Sequence, residues 1–194
     1  MSARSVVCAV PWHALPEVLP ASPELSAVVE AARATPASPI VTVNLWFDRQ
    51  VSDDAFVGLP GRHMQWIFDK HRLFGPRSSH LSLVSSGAEA IAARSNDELI
   101  RLAMSEVTEA LPASRAAVLH RAVVVREKRA TFSLSPAAPP RPGTRTALPG
   151  LYLAGDWIDT GLPATIESAV LSGHLAADAV LAVSSAPPAV RTRT

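Results

Sequence analysis

The stretch that decides the fold is Leu151-Tyr-Leu-Ala-Gly-Asp-Trp157, which continues through the loop 158–162 into the segment 163–181. Its first residues form a short apolar run that ends at Gly155 and Asp156, as expected for a strand that enters a turn. Pro163 suits the first position of a helix, and apolar residues then recur at helical spacing. The sequence therefore predicts a strand–loop–helix unit in which the N-terminus of the helix is free to face a ligand.

The residue types in this unit suit a ligand that carries hydroxyl groups or electron-rich oxygens. A helix N-terminus has N–H groups without partners and a partial positive charge. Gly155 permits close approach of the backbone, and Asp156 can accept hydrogen bonds from sugar-type hydroxyls. The spacing alone also fits an ordinary strand–turn–helix with a solvated aspartate, so both interpretations stay open at this point.

The rest of the chain predicts one further strand near the N-terminus and a sheet in the middle. The apolar run Val6–Val10 is rich in β-branched residues and predicts a buried strand of a parallel sheet. Ser22 and Pro23 begin a predicted helix that ends near Arg33. Strands without intervening helices, typical of an antiparallel sheet, are predicted at 40–48, 56–59, 64–69 and 80–85.

A helix, a strand and an extended connection follow this predicted sheet. Ser95 and Glu98 have the spacing of a capping box, which predicts a helix to Leu111. A strand is expected at 117–125, and the proline-rich segment 136–149 is expected to be extended. The predicted fold class is therefore α/β at the two ends of the chain, plus an inserted α+β unit with an antiparallel sheet.

Composition excludes several classes of function. The chain has 194 residues, 48% of them hydrophobic, which is sufficient for a core, and a net charge of +1 gives no footprint for nucleic acid. Cys8 is the only cysteine, and the six histidines lack ligand spacing, so neither a disulfide nor a metal site is expected. No stretch of about 20 apolar residues is evident, so no membrane span is expected, and no G-x-S-x-G motif suggests a hydrolase.

Aromatic and large apolar residues cluster on the predicted sheet at Trp46, Phe47, Trp66, Ile67 and Phe68. Such residues dominate protein cores, so a purely structural role is one interpretation. The other is the wall of an apolar channel that binds a long isoprenoid.

The residues 151–177 resemble the C-terminal flavin-binding segment of the amine oxidase and phytoene desaturase superfamily. The run LYLAGDWIDTGLPATIESAVLSGHLAA is most similar to the squalene-associated FAD-dependent desaturases, a group that includes hydroxysqualene dehydroxylases. Val6–Pro11 resembles the family's VVxAVP strand, and 126–132 and 141–150 resemble the segments before its last FAD-binding stretch.

This resemblance implies an FAD site. Asp156 would bind the ribityl or pyrophosphate part of FAD, with Gly155 beside it. The backbone N–H near Ile166 would face the N1–C2=O2 edge of the flavin, with Thr165 next to it. Where the family most often has Glu-Gly-Ala, this chain has Glu-Ser-Ala at 167–169. A small residue is kept, so close packing is expected.

The resemblance also implies a division into domains. Residues 1–12 and 143–182 would form the C-terminal part of a partial Rossmann-like FAD-binding domain. Residues 38–130 would form the inserted substrate domain, and 183–194 a flexible tail. The family's G-x-G-x-x-G motif is absent from this sequence, so the N-terminal half of the FAD domain is expected to be missing. A gene fragment, half of a split enzyme with an N-terminal FAD-domain partner chain, and a degenerate copy all stay open.

The function implied is redox chemistry on a squalene-type isoprenoid, with dehydroxylation of hydroxysqualene in hopanoid biosynthesis as the first expectation. Desaturation of a carotenoid or diapophytoene is one alternative, and a non-catalytic remnant or interaction subunit is another. A lipid substrate implies a cytoplasmic protein with peripheral contact at the inner face of the cell membrane. No residue stands out as a catalytic acid, and the sequence does not reveal the direction of electron flow or the oligomeric state.

Overall fold

The fold is given by a computed structural model that describes residues 3–75 and 79–184. The chain forms two compact units. Unit 1 comprises Met1–Pro36 and Thr131–Thr194, and unit 2 comprises Ala37–Ala130. The strands are β1 (Val6–Cys8), β2 (Ala37–Phe47), β3 (Phe56–Gly58), β4 (Trp66–Asp69), β5 (Ser79–Ser86), β6 (Leu119–Phe132) and β7 (Leu151–Leu153). The α-helices are α1 (Leu15–Val18), α2 (Pro23–Ala34), α3 (Lys70–Phe74), α4 (Asn96–Ala110) and α5 (Ile166–Ser184).

Unit 2 is built on a five-stranded sheet in the order β3-β4-β5-β2-β6. The pairs β3–β4, β4–β5 and β2–β5 are antiparallel, as the succession of strands in the sequence predicts. The strand predicted at 117–125 runs on to Phe132, because β6 continues along the whole length of the long strand β2. The helix α3 was not predicted; the carboxylate of Asp69 caps it by accepting hydrogen bonds from the N–H groups of His71 and Arg72.

The core of unit 2 lies between α4 and one face of this sheet. Alternate side chains of β2 point into it, since successive residues of a strand face opposite sides. The fully or nearly fully buried members include Val41, Val43, Leu45, Leu81, Leu83, Leu99, Ala103 and Val107. The predicted capping box is confirmed: Ser95 Oγ accepts the N–H of Glu98, and the Glu98 carboxylate accepts the N–H of Ser95 at 2.8 Å.

The same alternation divides the aromatic cluster that the sequence suggests. Phe47 and Ile67 are core residues, with 5% and 1% of their surface exposed. Trp46, Trp66 and Phe68 lie on the other face of the sheet, where Trp66 stacks with Phe68 at a centroid distance of 6.2 Å. Phe47 and Ile67 therefore belong to the core, whereas the other three residues of the cluster belong to the surface of the sheet.

A buried carboxylate joins α4 to the connection before β4. Glu106 is 7% exposed, and its two oxygens accept the backbone N–H groups of His63 and Met64 at 3.0 and 2.9 Å. We expect Glu106→Gln to lower the free energy of unfolding by about 1–3 kcal/mol, because the amide nitrogen cannot accept a hydrogen bond and leaves one buried N–H unsatisfied.

Chemical denaturation followed by circular dichroism measures this change. Glu109→Gln is the matched control, because Glu109 lies on the same helix in an exposed ion pair with Arg62. Equal losses from both substitutions would contradict a special role for the Glu106 carboxylate.

Unit 1 contains a parallel pair of strands joined in register, with Val6 opposite Leu151 and Cys8 opposite Leu153. The other edge of β7 bonds to the segment 144–146, since the N–H of Leu153 donates to the carbonyl of Thr144. Among the residues that the structure describes, nothing pairs with the outer edge of β1. The predicted burial of this strand is therefore wrong for this chain: Val6 and Val7 are 51% and 45% exposed.

The helices of unit 1 differ from the prediction at their beginnings. Ser22 has the extended backbone of a capping residue before α2, but its hydroxyl donates to the Glu24 carboxylate and makes no cap. The last helix, α5, begins at Ile166 and not at Pro163. It continues to Ser184, so the first two residues of the predicted tail 183–194 are helical, and 185–194 lie outside the described residues.

One helix is long and apolar enough to cross a membrane, whereas the sequence analysis expected no membrane span. Residues 166–183 of α5 have a mean hydropathy of 1.4. By length and composition, this segment could span a membrane. One side of this helix carries Ala176 and Ala179, which are buried against Tyr152 and Ala154. A single helix that passes this test is weak support for a span, because helices in the cores of soluble proteins pass it too.

Candidate functional site

The connection from β7 to α5 turns sharply at Gly155. Its φ of +138° lies in a region that side chains rarely adopt, and a Cβ atom there would lie 2.9 Å from Cδ1 of Trp157. The backbone N–H of Gly155 donates to Ser172 Oγ at 2.8 Å, and the indole of Trp157 donates to the carbonyl of Val10. Glycine is therefore required here by the shape of the turn itself.

Asp156 follows this glycine with a half-buried side chain. No hydrogen bond or ion pair to its carboxylate occurs among residues 3–75 and 79–184, whereas its backbone carbonyl accepts the hydroxyl of Ser168 at 3.4 Å. The carboxylate thus keeps its full capacity to accept hydrogen bonds from a ligand.

Thr165 is the residue that caps α5. Its Oγ1 accepts the N–H of Ser168 at 3.2 Å, and its carbonyl accepts the N–H of Ala169 at 3.1 Å. In the part of the chain that the structure describes, the N–H groups of Ile166 and Glu167 have no acceptor, as in the first turn of any helix. Ser168 bonds to both Thr165 and Asp156, so all four predicted site residues lie at this end of α5.

Two buried serines at this end of α5 were not predicted as site residues. Ser168 and Ser172 are 0% exposed and lie one helical turn apart. Ser168 Oγ is 2.7 Å from Thr160 Oγ1, in the loop that joins β7 to α5. The spacing of Ser168, Ser172, Ala176 and Ala179 along one face of the helix was the signal in the sequence, since small residues permit close packing on a strand.

Arg141 also binds the loop 158–162, and it was not predicted as a site residue from the sequence. Its guanidinium donates to the carbonyl of Leu162 at 2.7 Å and to the carboxylate of Asp159 at 3.2 Å, and it lies 5.6 Å from the centre of the Phe132 ring. Next to it is a cavity of about 220 Å³, lined mainly by Phe132, Trp157 and the prolines 139, 140 and 142. The loop before α5 is therefore fixed at both ends.

The groups at this site suit hydrogen bonding to a ligand. An unpaired carboxylate can accept bonds from hydroxyl groups, and the two N–H groups with the helix dipole favour an electron-rich oxygen or a partial negative charge. Within the described ranges, no three His, Cys, Asp or Glu side chains are grouped so that they could hold a metal ion.

Comparison with known proteins gives a family match along nearly the whole chain. Residues 1–181 match the family described as flavin containing amine oxidoreductase. The hydroxysqualene dehydroxylase of Rhodopseudomonas palustris is 42% identical over 134 residues, which cover 68% of this chain and 30% of that protein. The hydroxysqualene dehydroxylase of Sinorhizobium fredii is 34% identical over 84% of this chain and 38% of that protein. The 15-cis-phytoene desaturase of Glycine max is 31% identical over 74% of this chain and 27% of that protein.

Solved structures share the fold at low sequence identity. An oxidoreductase from Methanosarcina mazei has a TM-score of 0.64 at 15% identity, with 92% of this chain and 43% of that chain covered. Reduced UDP-galactopyranose mutase also has a TM-score of 0.64, at 12% identity, with 94% and 42% covered. In each of these comparisons the chain spans less than half the length of the protein that it matches.

Proposed function

Because this chain belongs to the family of flavin-containing amine oxidoreductases, we propose that it contributes the C-terminal flavin site of an enzyme that removes the hydroxyl group of hydroxysqualene. The resemblance expected from residues 151–177 is confirmed, as are the class, oxidoreductase, and the cofactor, FAD. The observation that carries the choice of substrate is the 42% identity to a hydroxysqualene dehydroxylase, in an alignment that covers two thirds of this chain.

The residues at the start of α5 suit the flavin. The free carboxylate of Asp156 would bind the ribityl or pyrophosphate part of FAD, and Gly155 keeps the turn tight beside it. The N–H groups of Ile166 and Glu167 would hold the electron-rich edge of the ring, where the helix dipole would favour the negative charge of the reduced form. FAD supplies the two-electron chemistry: in the reductive direction a hydride replaces the hydroxyl group, which leaves with a proton as water.

The parallel pair β1–β7 is proposed to be part of a larger Rossmann-like sheet. The segment 144–146 occupies one edge of β7, so the free edge of β1 is the place for a further strand. This sequence has no G-x-G-x-x-G motif, and a strand with that motif would be supplied by residues outside it, earlier in a longer chain or on a partner chain. The half-exposed Val6 and Val7 support this arrangement, because an added strand and its helix would cover them.

Unit 2 is proposed to bind the isoprenoid. The face of its sheet opposite the core carries Trp46, Trp66 and Phe68, large apolar surfaces that suit a long hydrocarbon. His80 stacks on Trp46 at a ring-centroid distance of 4.2 Å and hydrogen-bonds Asn44 at 2.9 Å, and burial lowers the pKa of its imidazole. A substrate of this kind places the enzyme in the cytoplasm, in peripheral contact with the inner face of the cell membrane.

Desaturation is the second candidate, and the 31% identity to a 15-cis-phytoene desaturase favours it. The two reactions need opposite states of the cofactor. Dehydroxylation consumes reduced flavin, whereas desaturation removes hydride from the substrate and therefore consumes oxidised flavin.

Turnover by the FAD-loaded protein that contains this chain separates the two. We expect reduced flavin and hydroxysqualene, without oxygen, to give squalene and oxidised flavin in equal amounts, measured by gas chromatography and by absorbance near 450 nm. Oxidised flavin with phytoene is the parallel assay. Double-bond formation there, without squalene in the first assay, would overturn the dehydroxylase proposal in favour of the desaturase.

A further inference from the structure

The two buried serines of α5 make their hydrogen bonds to the turn that carries Asp156. Ser172 Oγ accepts the N–H of Gly155 at 2.8 Å and donates to the carbonyl of Ala169 at 2.7 Å. Ser168 Oγ contacts the next residue, since it lies 3.4 Å from the carbonyl of Asp156. Consecutive residues of the turn are thus attached to consecutive turns of the helix.

The hydroxyl of Thr160 extends this network into the loop before α5. If Thr160 donates to Ser168, the hydrogen of Ser168 is free for the carbonyl of Asp156, and Thr160 Oγ1 accepts the N–H of Leu162 at 3.3 Å. With Thr160 as the donor to Ser168, the hydroxyl hydrogens of both residues have an acceptor, as buried polar groups require. One buried oxygen, Ser168 Oγ, therefore joins the turn, the loop and the helix.

The geometry points to Ser168 as a positioning residue, and we propose that it sets both the affinity for FAD and the reduction potential of the bound flavin. This inference rests on the proposed FAD site. Ser168 is fully buried, so its side chain is not exposed to a ligand that binds at the start of α5. It acts by holding the Asp156 carboxylate in a fixed relation to the free N–H groups of Ile166 and Glu167. A glycine at this position, the residue that the resembling family most often has, would leave the hydroxyl of Thr160 without this partner.

The expected effect is larger for reduced flavin than for oxidised flavin. The dipole of α5 favours the negative charge of the reduced form, so a loosened turn weakens that form more. We expect Ser168→Ala to raise the dissociation constant of reduced FAD about tenfold and that of oxidised FAD about threefold, the scale of one or two lost hydrogen bonds. The midpoint potential of the bound flavin then becomes more negative.

The experiment uses the FAD-loaded protein that contains this chain, with dye-coupled reductive titration for the potential and fluorescence titration for the affinity. Thr160→Val and the double variant complete a cycle. If the two hydroxyls act as one unit, the double variant shifts the potential no further than Ser168→Ala alone. The matched control is Ser114→Ala, which removes a buried hydroxyl in unit 2 that donates to the carbonyl of Leu111. This control is expected to lower the melting temperature without a change in potential.

Two results would overturn the inference, and they differ in what else they affect. An unchanged potential and affinity in Ser168→Ala, with FAD lost from Asp156→Ala, refutes the role of Ser168 and leaves the flavin site in place. Unchanged FAD binding in both variants refutes the proposed flavin site and the role of Ser168 together.

Discussion

Asp156→Ala is expected to raise the dissociation constant of FAD about 10- to 100-fold in the protein that contains this chain. The carboxylate has no partner among the residues that the structure describes, so its hydrogen bonds are available to the cofactor. A hydrogen bond to a charged group contributes about 1.5–3 kcal/mol, which corresponds to this range of affinity. We expect this loss without unfolding, because the substitution removes no hydrogen bond or ion pair of the side chain among residues 3–75 and 79–184.

Flavin absorbance retained through desalting, followed by titration with FAD, measures the change. Asp178→Ala is the control, since it removes a carboxylate at an exposed position of α5, away from the turn that carries Asp156. Asp156→Asn separates charge from shape and is expected to lie between the parent and the alanine variant. Flavin content that is equal in all four proteins would refute the assignment of Asp156.

Leu99→Ala is expected to lower the free energy of unfolding of unit 2 by about 3–5 kcal/mol. Leu99 lies on the core face of α4 with 0% of its surface exposed, in the same cluster as Val43 and Leu83. Truncation removes buried apolar surface and leaves a cavity that a sheet and a capped helix cannot close fully. A loss of this size is a large part of the stability of an ordinary domain.

Tryptophan fluorescence in a denaturant series measures this loss of unfolding free energy. Trp46 and Trp66 report on unit 2, whereas Trp12 and Trp157 belong to unit 1. Arg101→Ala, at an exposed position of the same helix, is expected to stay within about 0.5 kcal/mol of the parent. A change of less than 1 kcal/mol in Leu99→Ala would contradict the packing of α4 on the sheet.

Most of the regular elements could be predicted because their local signals agree with the tertiary contacts. The strands β2 and β5 and the helix α4 follow their hydrophobic periods, and the capping box at Ser95 begins α4 as expected. The prediction of the start of α5 was wrong because proline at a first position is only a preference. The hydroxyl of Thr165 makes the cap, so the helix begins at Ile166.

The candidate site was predictable only in part. Gly155 and Asp156 were predicted as site residues from the strand–loop–helix pattern and from the resemblance of residues 151–177 to a family motif. The spacing of small residues marks the face of α5 that carries Ser168, but the loop atoms that Ser168 and Arg141 reach are set by the tertiary structure and could not be predicted. The apolar composition of Val6–Val10 led to the wrong prediction of burial, since a strand of this composition is buried only when its neighbours are present.

The order of assembly follows from one hydrogen bond at the base of the insertion, where the N–H of Ser133 donates to the carbonyl of Pro36 at 2.7 Å. The strands β1 and β7 must meet across residues 9–150, a long loop whose closure costs much chain entropy. Unit 2 is continuous in sequence, and its pairs β3–β4 and β4–β5 join strands that follow one another along the chain. Once β2 and β6 are paired, residues 36 and 133 are adjacent. The loop that must still close between β1 and β7 is then less than half as long as residues 9–150. We therefore expect unit 2 to form early in folding and to bring the two sequence segments of unit 1 together; hydrogen-exchange labelling during refolding that protects unit 1 before unit 2 would contradict this.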